Sequence, residues 1–241
     1  MIDRELTQEN KAWGNSKYAT DFDYLMHDYV LKTLRPLFLG KECAELGCYK
    51  GEMTRKLSKE FSSVTAIDIE EKYCDIIKGM GLQNVSVVQS DFSKYQNYNQ
   101  FSDLLSLHSL EHVEDDLGLL RHIQTHKSSD TRLHIVVPNG TSLSRQIAVN
   151  MGFMSEPLAV TEFEEAIGHH RTYNLELLKD LASRAGLKVI KAGGIMPKIF
   201  SNSQYDKALQ EGIIDRAYLD AAYALSDEIP ELCSSIYITC N

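Results

Sequence analysis

Ala44-Glu45-Leu46-Gly47-Cys48-Tyr49-Lys50-Gly51 is the stretch on which the fold turns. It closes a short apolar run over residues 42–47 and precedes a helical pattern marked by Met53, Leu57 and Phe61. Strand, glycine loop and helix in that order open a nucleotide-binding α/β sheet. Glycine has no Cβ, so Gly47 permits a tight turn and Gly51 lets backbone pass close to a ligand. Glu45 decides the charge of that ligand. In a dinucleotide site the loop faces a pyrophosphate, which a carboxylate would repel. The spacing E-x-G-x-x-x-G also lacks the third glycine of the dinucleotide fingerprint. A cationic amino-acid moiety suits the loop better, which argues against an NAD-dependent oxidoreductase.

Outward from the loop, strand and helix patterns alternate. Apolar runs at 64–69, 85–88, 101–107 and 133–137 read as strands two to five, with 187–191 and 235–239 as the last two. Between them, Tyr73, Ile76 and Ile77, then Val113, Leu117, Leu120 and Ile123, recur at helical spacing. Asn174 reads as the cap of a later helix and Gly186 as its C-terminal glycine. This predicts an α/β, Rossmann-like sheet of seven mostly parallel strands, with helices on both faces and a small helical cap. We expect one domain over residues 1–241. Residues 1–40 form a helical lid and 41–137 the cofactor core. The long connections 138–173 and 193–231 form the substrate cap, the second helical over 205–225. Trp13, in a polar segment, is assigned to the lid, together with an N-terminal helix carrying Tyr18, Tyr24 and His27.

The net charge of −9 disfavours nucleic acid or an anionic membrane as partner. No stretch is apolar enough to span a bilayer, and no signal-type segment stands at Met1. The five cysteines are scattered without a C-x-x-C pair, which fits reduced thiols in the cytoplasm. A small-molecule acceptor is the expected partner, and a homodimer is left open.

At the end of the second strand stands Asp68-Ile69, at the spacing from the loop where an acidic residue binds ribose hydroxyls. Asp91-Phe92 ends the third strand and offers a carboxylate to an adenine amine and a ring to stack on it. After the fourth strand comes Leu107-His108-Ser109-Leu110-Glu111-His112-Val113. Glu45–Gly51, Asp68, Asp91-Phe92 and His108–His112 together resemble the successive motifs of class I S-adenosylmethionine-dependent methyltransferases over residues 42–137. Tyr49 stands where the middle glycine of the loop is usual. The resemblance implies that Glu45 and Gly47 face the methionine part of the cofactor, Asp68 the ribose and Asp91 the adenine; Cys48, Gly51, Ile69 and Phe92 are assigned to the cofactor beside them. His108 is placed against cofactor or substrate.

Methyl transfer requires alignment, exclusion of water and removal of a proton when the nucleophile is a hydroxyl. His169 and His170, in Gly168-His169-His170-Arg171-Thr172-Tyr173, are the first candidates for the base, with His108 beside them. Glu111 and His112 either orient neighbours or react. His108-x-x-Glu111-His112 offers three metal ligands and resembles the E-x-x-E-H magnesium motif of some O-methyltransferases. Histidine in first place disfavours an oxygen-seeking ion, and no metal is assigned. Arg171 and Lys198 are read as holding an anionic acceptor group, with Tyr24, His27, Asn139 and Tyr173 lining the same cavity. Asn139 reads equally as a turn, and Lys198 as a solvated surface residue. The stretches 137–145 and 168–173, with Gly193-Gly194, further resemble a bacterial subgroup acting on sugars, capsule precursors and secondary metabolites. That implies O- or N-methylation of a compact polar acceptor, a phosphoramidate among the options. A non-catalytic S-adenosylmethionine-binding sensor or scaffold is the competing expectation.

Overall fold

The computed structural model describes residues 21–241. Trp13 and Tyr18, assigned to the lid, lie outside the described residues. Seven strands form one sheet in the order β3-β2-β1-β4-β5-β7-β6. They are β1 Glu42–Leu46, β2 Ser63–Asp68, β3 Val85–Gln89, β4 Asp103–Leu107, β5 Arg132–Pro138, β6 Val189–Pro197 and β7 Cys233–Cys240. Pairings from β3 across to β5 are parallel, and β7 runs antiparallel to both β5 and β6. The chain leaves β1 toward β2 and β3, then returns to lay β4 on the other side of β1. That reversal opens a crevice beyond the carboxyl ends of β1 and β4, where ligands of such sheets bind.

The central strands are apolar almost throughout because both faces are covered. On one face Leu46, Leu104, Ile135, Val137, Ile236 and Ile238 pack under α4 (Asp116–His126) and α7 (Leu175–Arg184). On the other, Cys43, Val64, Leu105, Val136 and Tyr237 meet α1 (Asp21–Leu34), α2 (Glu52–Leu57), α8 (Asn202–Gln210) and α9 (Arg216–Ala224). Alternation along each strand produces the two layers. α3 (Glu71–Gly79) covers β2 and β3, while α5 (Leu143–Asn150) and α6 (Glu162–Ala166) lie in the connection after β5.

Local chemistry fixes the helix starts. Asp115 Oδ1 accepts from Gly118 N at the start of α4, and Asn174 Oδ1 from Leu177 N at the start of α7, as its position predicts. Thr161 with Glu164, and Ser201 with Gln204, close capping boxes on α6 and α8. Two expectations change. β6 runs on to Pro197, so Gly193 and Gly194 lie in a strand; Tyr237 covers the first, and the Pro230 carbonyl leaves no room for a Cβ on the second. The expected helix over 205–225 is two helices, α8 and α9, separated near Gly212. Among the described residues no helix is long and apolar enough to cross a membrane.

Candidate active site

The β1 loop builds one wall. Glu45 is 1% exposed and accepts a hydrogen bond from Thr54 Oγ1 of α2. Burial pushes its carboxyl up to about 8, the Thr54 hydrogen bond opposing and the Asp68 charge adding. Gly47, at φ +85°, is pressed against Ser109: a Cβ there would lie 2.8 Å from Ser109 Cβ and 3.7 Å from Phe92 Cζ. Gly51 also has positive φ, but its missing Cβ makes room for Ile77 of α3 and for Met80 just after it. It therefore serves helix packing, and Gly47 is the loop glycine whose missing Cβ faces the end of β4. Asp68 holds the loop shut from the end of β2. Its Oδ2 accepts from Cys48 N at 3.1 Å and Tyr49 N at 3.2 Å, and its Oδ1 from Glu70 N at 2.9 Å. Cys48 is buried, whereas Ile69 is 59% exposed, an apolar side chain at the ligand edge of the sheet. Asp91 Oδ1 accepts from Ser93 N and Oγ at 2.9 and 2.8 Å, and the backbone contact leads in holding its carboxyl below the usual range. Phe92 packs partly buried beside it.

The end of β4 builds the facing wall. His108 takes a left-handed backbone at φ +55°, costly for a residue with a Cβ and characteristic of functional sites. Its Nδ1 is 3.6 Å from Glu111 Oε1, and its Nε2 is 3.4 Å from Ser235 Oγ on β7. Glu111 is 1% exposed, and its second oxygen, Oε2, is buried without a hydrogen-bond partner. His169 comes to the same place from the distant loop, its ring 4.7 Å from that of His112 at 87°. Burial leads in lowering the His169 pKa, with Glu111 opposing it. From α1, His27 turns toward the same wall. Its Nδ1 is enclosed and unpartnered, and burial, with Lys56 and His108 adding, lowers its pKa to about 3. Tyr24 meets the His27 ring edge-on at 5.9 Å. His27, His108, Glu111, His112 and His169 are thus brought together.

The remaining candidates are engaged with protein. Arg171 donates to the carbonyls of Val113 and Glu114 at 2.7 and 2.5 Å and pairs with Asp116 at 3.0 Å. Tyr173 is buried, and its hydroxyl donates to Asp116 Oδ2 at 2.8 Å. Asn139 Nδ2 donates to the carbonyls of Glu231 and Cys233, and its Oδ1 accepts from Thr141 N and Oγ1. All three tie segments to one another. His170 is exposed, and its backbone N donates to Glu111 O at 2.9 Å. Lys198 is no surface lysine: it donates to Asn202, its Nζ lies 5.5 Å from the Phe22 ring centre, and burial brings it down to about 8. It fastens the start of α1 to α8. Thr54 and Ser235 escaped the sequence reading, because neither stands in a motif and each meets its partner only in three dimensions. A shallow groove lined by Arg55, Asp75, Ile76 and Met80 lies between the carboxyl ends of α2 and α3. Those helix ends sit beside the amino ends of the strands, away from the crevice.

Residues 18–192 match a family described as the methyltransferase domain. A ubiquinone biosynthesis O-methyltransferase of Vibrio vulnificus (strain YJ016) is 26% identical over 113 residues, 45% of this chain and 48% of that protein. The match thus spans about half the length of the curated relative. Among solved structures, an S-adenosylmethionine-dependent methyltransferase from Mesorhizobium loti superimposes with a TM-score of 0.59 at 15% identity, covering 88% of this chain and 97% of the other. One from Archaeoglobus fulgidus gives 0.55 at 18% identity, covering 89% and 93%. These two likenesses support the fold.

Proposed function

This chain belongs to the methyltransferase domain family, and from that membership we propose that it methylates an oxygen of a small polar acceptor, with His108 as the general base. S-adenosylmethionine is the methyl donor, and when bound it supplies an electrophilic methyl on a sulfonium. The residues fit that donor. A buried carboxylate at Glu45 suits the cationic methionine part, and Gly47 leaves a cradle that a Cβ would fill. In this reading Asp68 would face the ribose, and Asp91 with Phe92 the adenine.

The observation that carries the assignment of the base is the pairing of His108 with the buried Glu111 at the end of β4. A carboxylate beside one ring nitrogen favours the proton there and supports the positive charge that follows proton uptake at the other. His108 Nε2, 3.4 Å from Ser235 Oγ, is the nitrogen that would receive a hydroxyl proton, with Ser235 turning aside. His169 has its Nδ1 enclosed and His170 is exposed, so both are weaker candidates. Oxygen is favoured as the acceptor atom because the Vibrio relative is named an O-methyltransferase. The cations that would have favoured an anionic phosphoramidate or capsule precursor are held by Asp116 and Asn202. The acceptor proposed is therefore a neutral hydroxyl compound.

Incubation with carbon-13-methyl S-adenosylmethionine and pools of phenols, sugars and amines tests this by NMR. The expected product carries a methyl ether. Methylation confined to the amines would refute the proposal.

A further inference from the structure

We propose that Glu111, His112 and His169 form a site for a divalent transition-metal ion of the zinc class. One ligand atom from each lies within 4.8 Å of the others. Metal–ligand distances of about 2.0–2.2 Å place neighbouring ligands roughly 3 Å apart or a little more, so a small contraction closes the set. The grouping differs from the H-x-x-E-H reading of the sequence. It replaces His108 with a histidine from a separate loop.

The unsatisfied atoms point to a ligand. Glu111 Oε2 and His169 Nδ1 are both buried with no hydrogen-bond partner. A carboxylate oxygen left bare in the interior is costly, and a cation is the partner that satisfies it best. His112 is already oriented. Its Nδ1 lies 3.2 Å from the Gly168 carbonyl, which can only accept, so Nδ1 carries the proton and Nε2 presents its lone pair. A ligating histidine is commonly steadied in this way. The backbone holds the two segments in register. His170 N donates to Glu111 O at 2.9 Å, and His169 N to Glu164 O at 2.9 Å. His112 is exposed, which gives an ion a way in.

The donor set selects the ion. Two imidazoles and one carboxylate suit zinc, cobalt, manganese or ferrous iron better than magnesium or calcium, which prefer all-oxygen shells. Three protein ligands leave a position open, the arrangement of a reactive site rather than a closed structural one. The ion would sit one carboxylate away from His108, since Glu111 Oε1 faces that ring. The inference rests on the three side chains alone and stands independently of the base and the acceptor.

The test is titration of chelator-treated full-length protein with cobalt(II), read by visible absorption and by calorimetry. Wild type should bind one equivalent, with the ligand-field bands of low-coordinate cobalt, and zinc should bleach them. His169→Ala and His112→Ala should each weaken binding at least tenfold, and His170→Ala should match wild type. Retained circular dichroism and S-adenosylhomocysteine binding verify that each variant is folded. Should His169→Ala not fold, His112→Ala decides by the same criterion. Absence of saturable cobalt binding in wild type overturns the proposal, as does a folded His169→Ala protein that binds cobalt like wild type. Methyl transfer is not read, so an error in the base assignment leaves the result unaffected.

Discussion

Glu111 Oε1 lies 3.6 Å from His108 Nδ1, and His108 reaches it through a backbone at φ +55°. A buried carboxylate and a strained histidine meet at the end of the strand beside the cofactor loop. On the proposed function, that pairing orients the ring that would take the acceptor's proton.

Removing that acceptor should slow the chemical step and spare donor binding. In His108→Ala, kcat is expected to fall by about 10²–10⁴-fold, with S-adenosylhomocysteine affinity within about threefold of wild type. Kinetics with a hydroxyl compound that the carbon-13 screen shows to be an acceptor measure the first and calorimetry the second. Loss of affinity with unchanged kcat would move His108 from the base to the cofactor wall.

Gly47→Ala should damage cofactor binding without help from charge. The new Cβ would meet Ser109 at 2.8 Å, at a φ of +85° that L residues rarely adopt. S-adenosylhomocysteine affinity should drop at least tenfold. Gly51→Ala meets Met80 and Ile77 instead, so its effect should appear in the melting temperature more than in affinity.

The opposite end of the sheet offers a stability test far from the crevice. His134 and Asp103 are fully buried, with Nε2 to Oδ1 at 3.0 Å, and Thr239 Oγ1 satisfies Nδ1 at 3.0 Å. Asp103 Oδ1 also accepts from Leu39 N at 3.0 Å. His134→Ala removes the hydrogen bonds to Asp103 and Thr239 and leaves a cavity between the strands, and should cost about 2–3 kcal/mol in urea unfolding. Cofactor affinity of the folded fraction should not change.

Mild acid should withdraw the stability contributed by two buried histidines. Burial is the leading cause of lowered pKa values at both His27 and His134, His27 falling to about 3. In the unfolded chain both histidines take up protons near pH 6.5, while the folded chain resists. These two rings take up protons on unfolding, so the stability they contribute falls as pH drops below about 6.5, while Glu45, whose folded carboxyl burial holds near 8, contributes in the opposite direction. His27→Gln should therefore gain melting temperature relative to wild type as pH drops from 7 to 5. A difference between the two proteins that stays constant over this range would mean that the His27 ring is not held neutral.

The cofactor half of the fold was legible because its signals are local. Glu45, Gly47 and Asp68 sit at strand ends whose apolar runs and glycine turn are contiguous in sequence. The acceptor half was less so. Gly193 and Gly194 read as a loop because glycine is a poor strand former, yet Tyr237 and the Pro230 carbonyl need those missing side chains. Arg171, Asn139 and Lys198 have the polarity of ligand contacts, but residue type does not say whether the partner is a substrate or another loop. His169 meets Glu111, and Ser235 meets His108, across long sequence separations that no spacing rule covers.

Calorimetric titration with S-adenosylmethionine at pH 7, in buffers of different ionisation enthalpy, shows directly whether Glu45 receives the cationic end of the donor. Burial holds that carboxyl near 8, mostly protonated before binding, so a cation arriving beside it should drive the proton off. Release of close to one proton per donor bound is expected, with affinity that rises with pH up to about 8. In Glu45→Gln the release should vanish and affinity should fall at least tenfold. Equal proton release and equal affinity in the two proteins would contradict that role for Glu45.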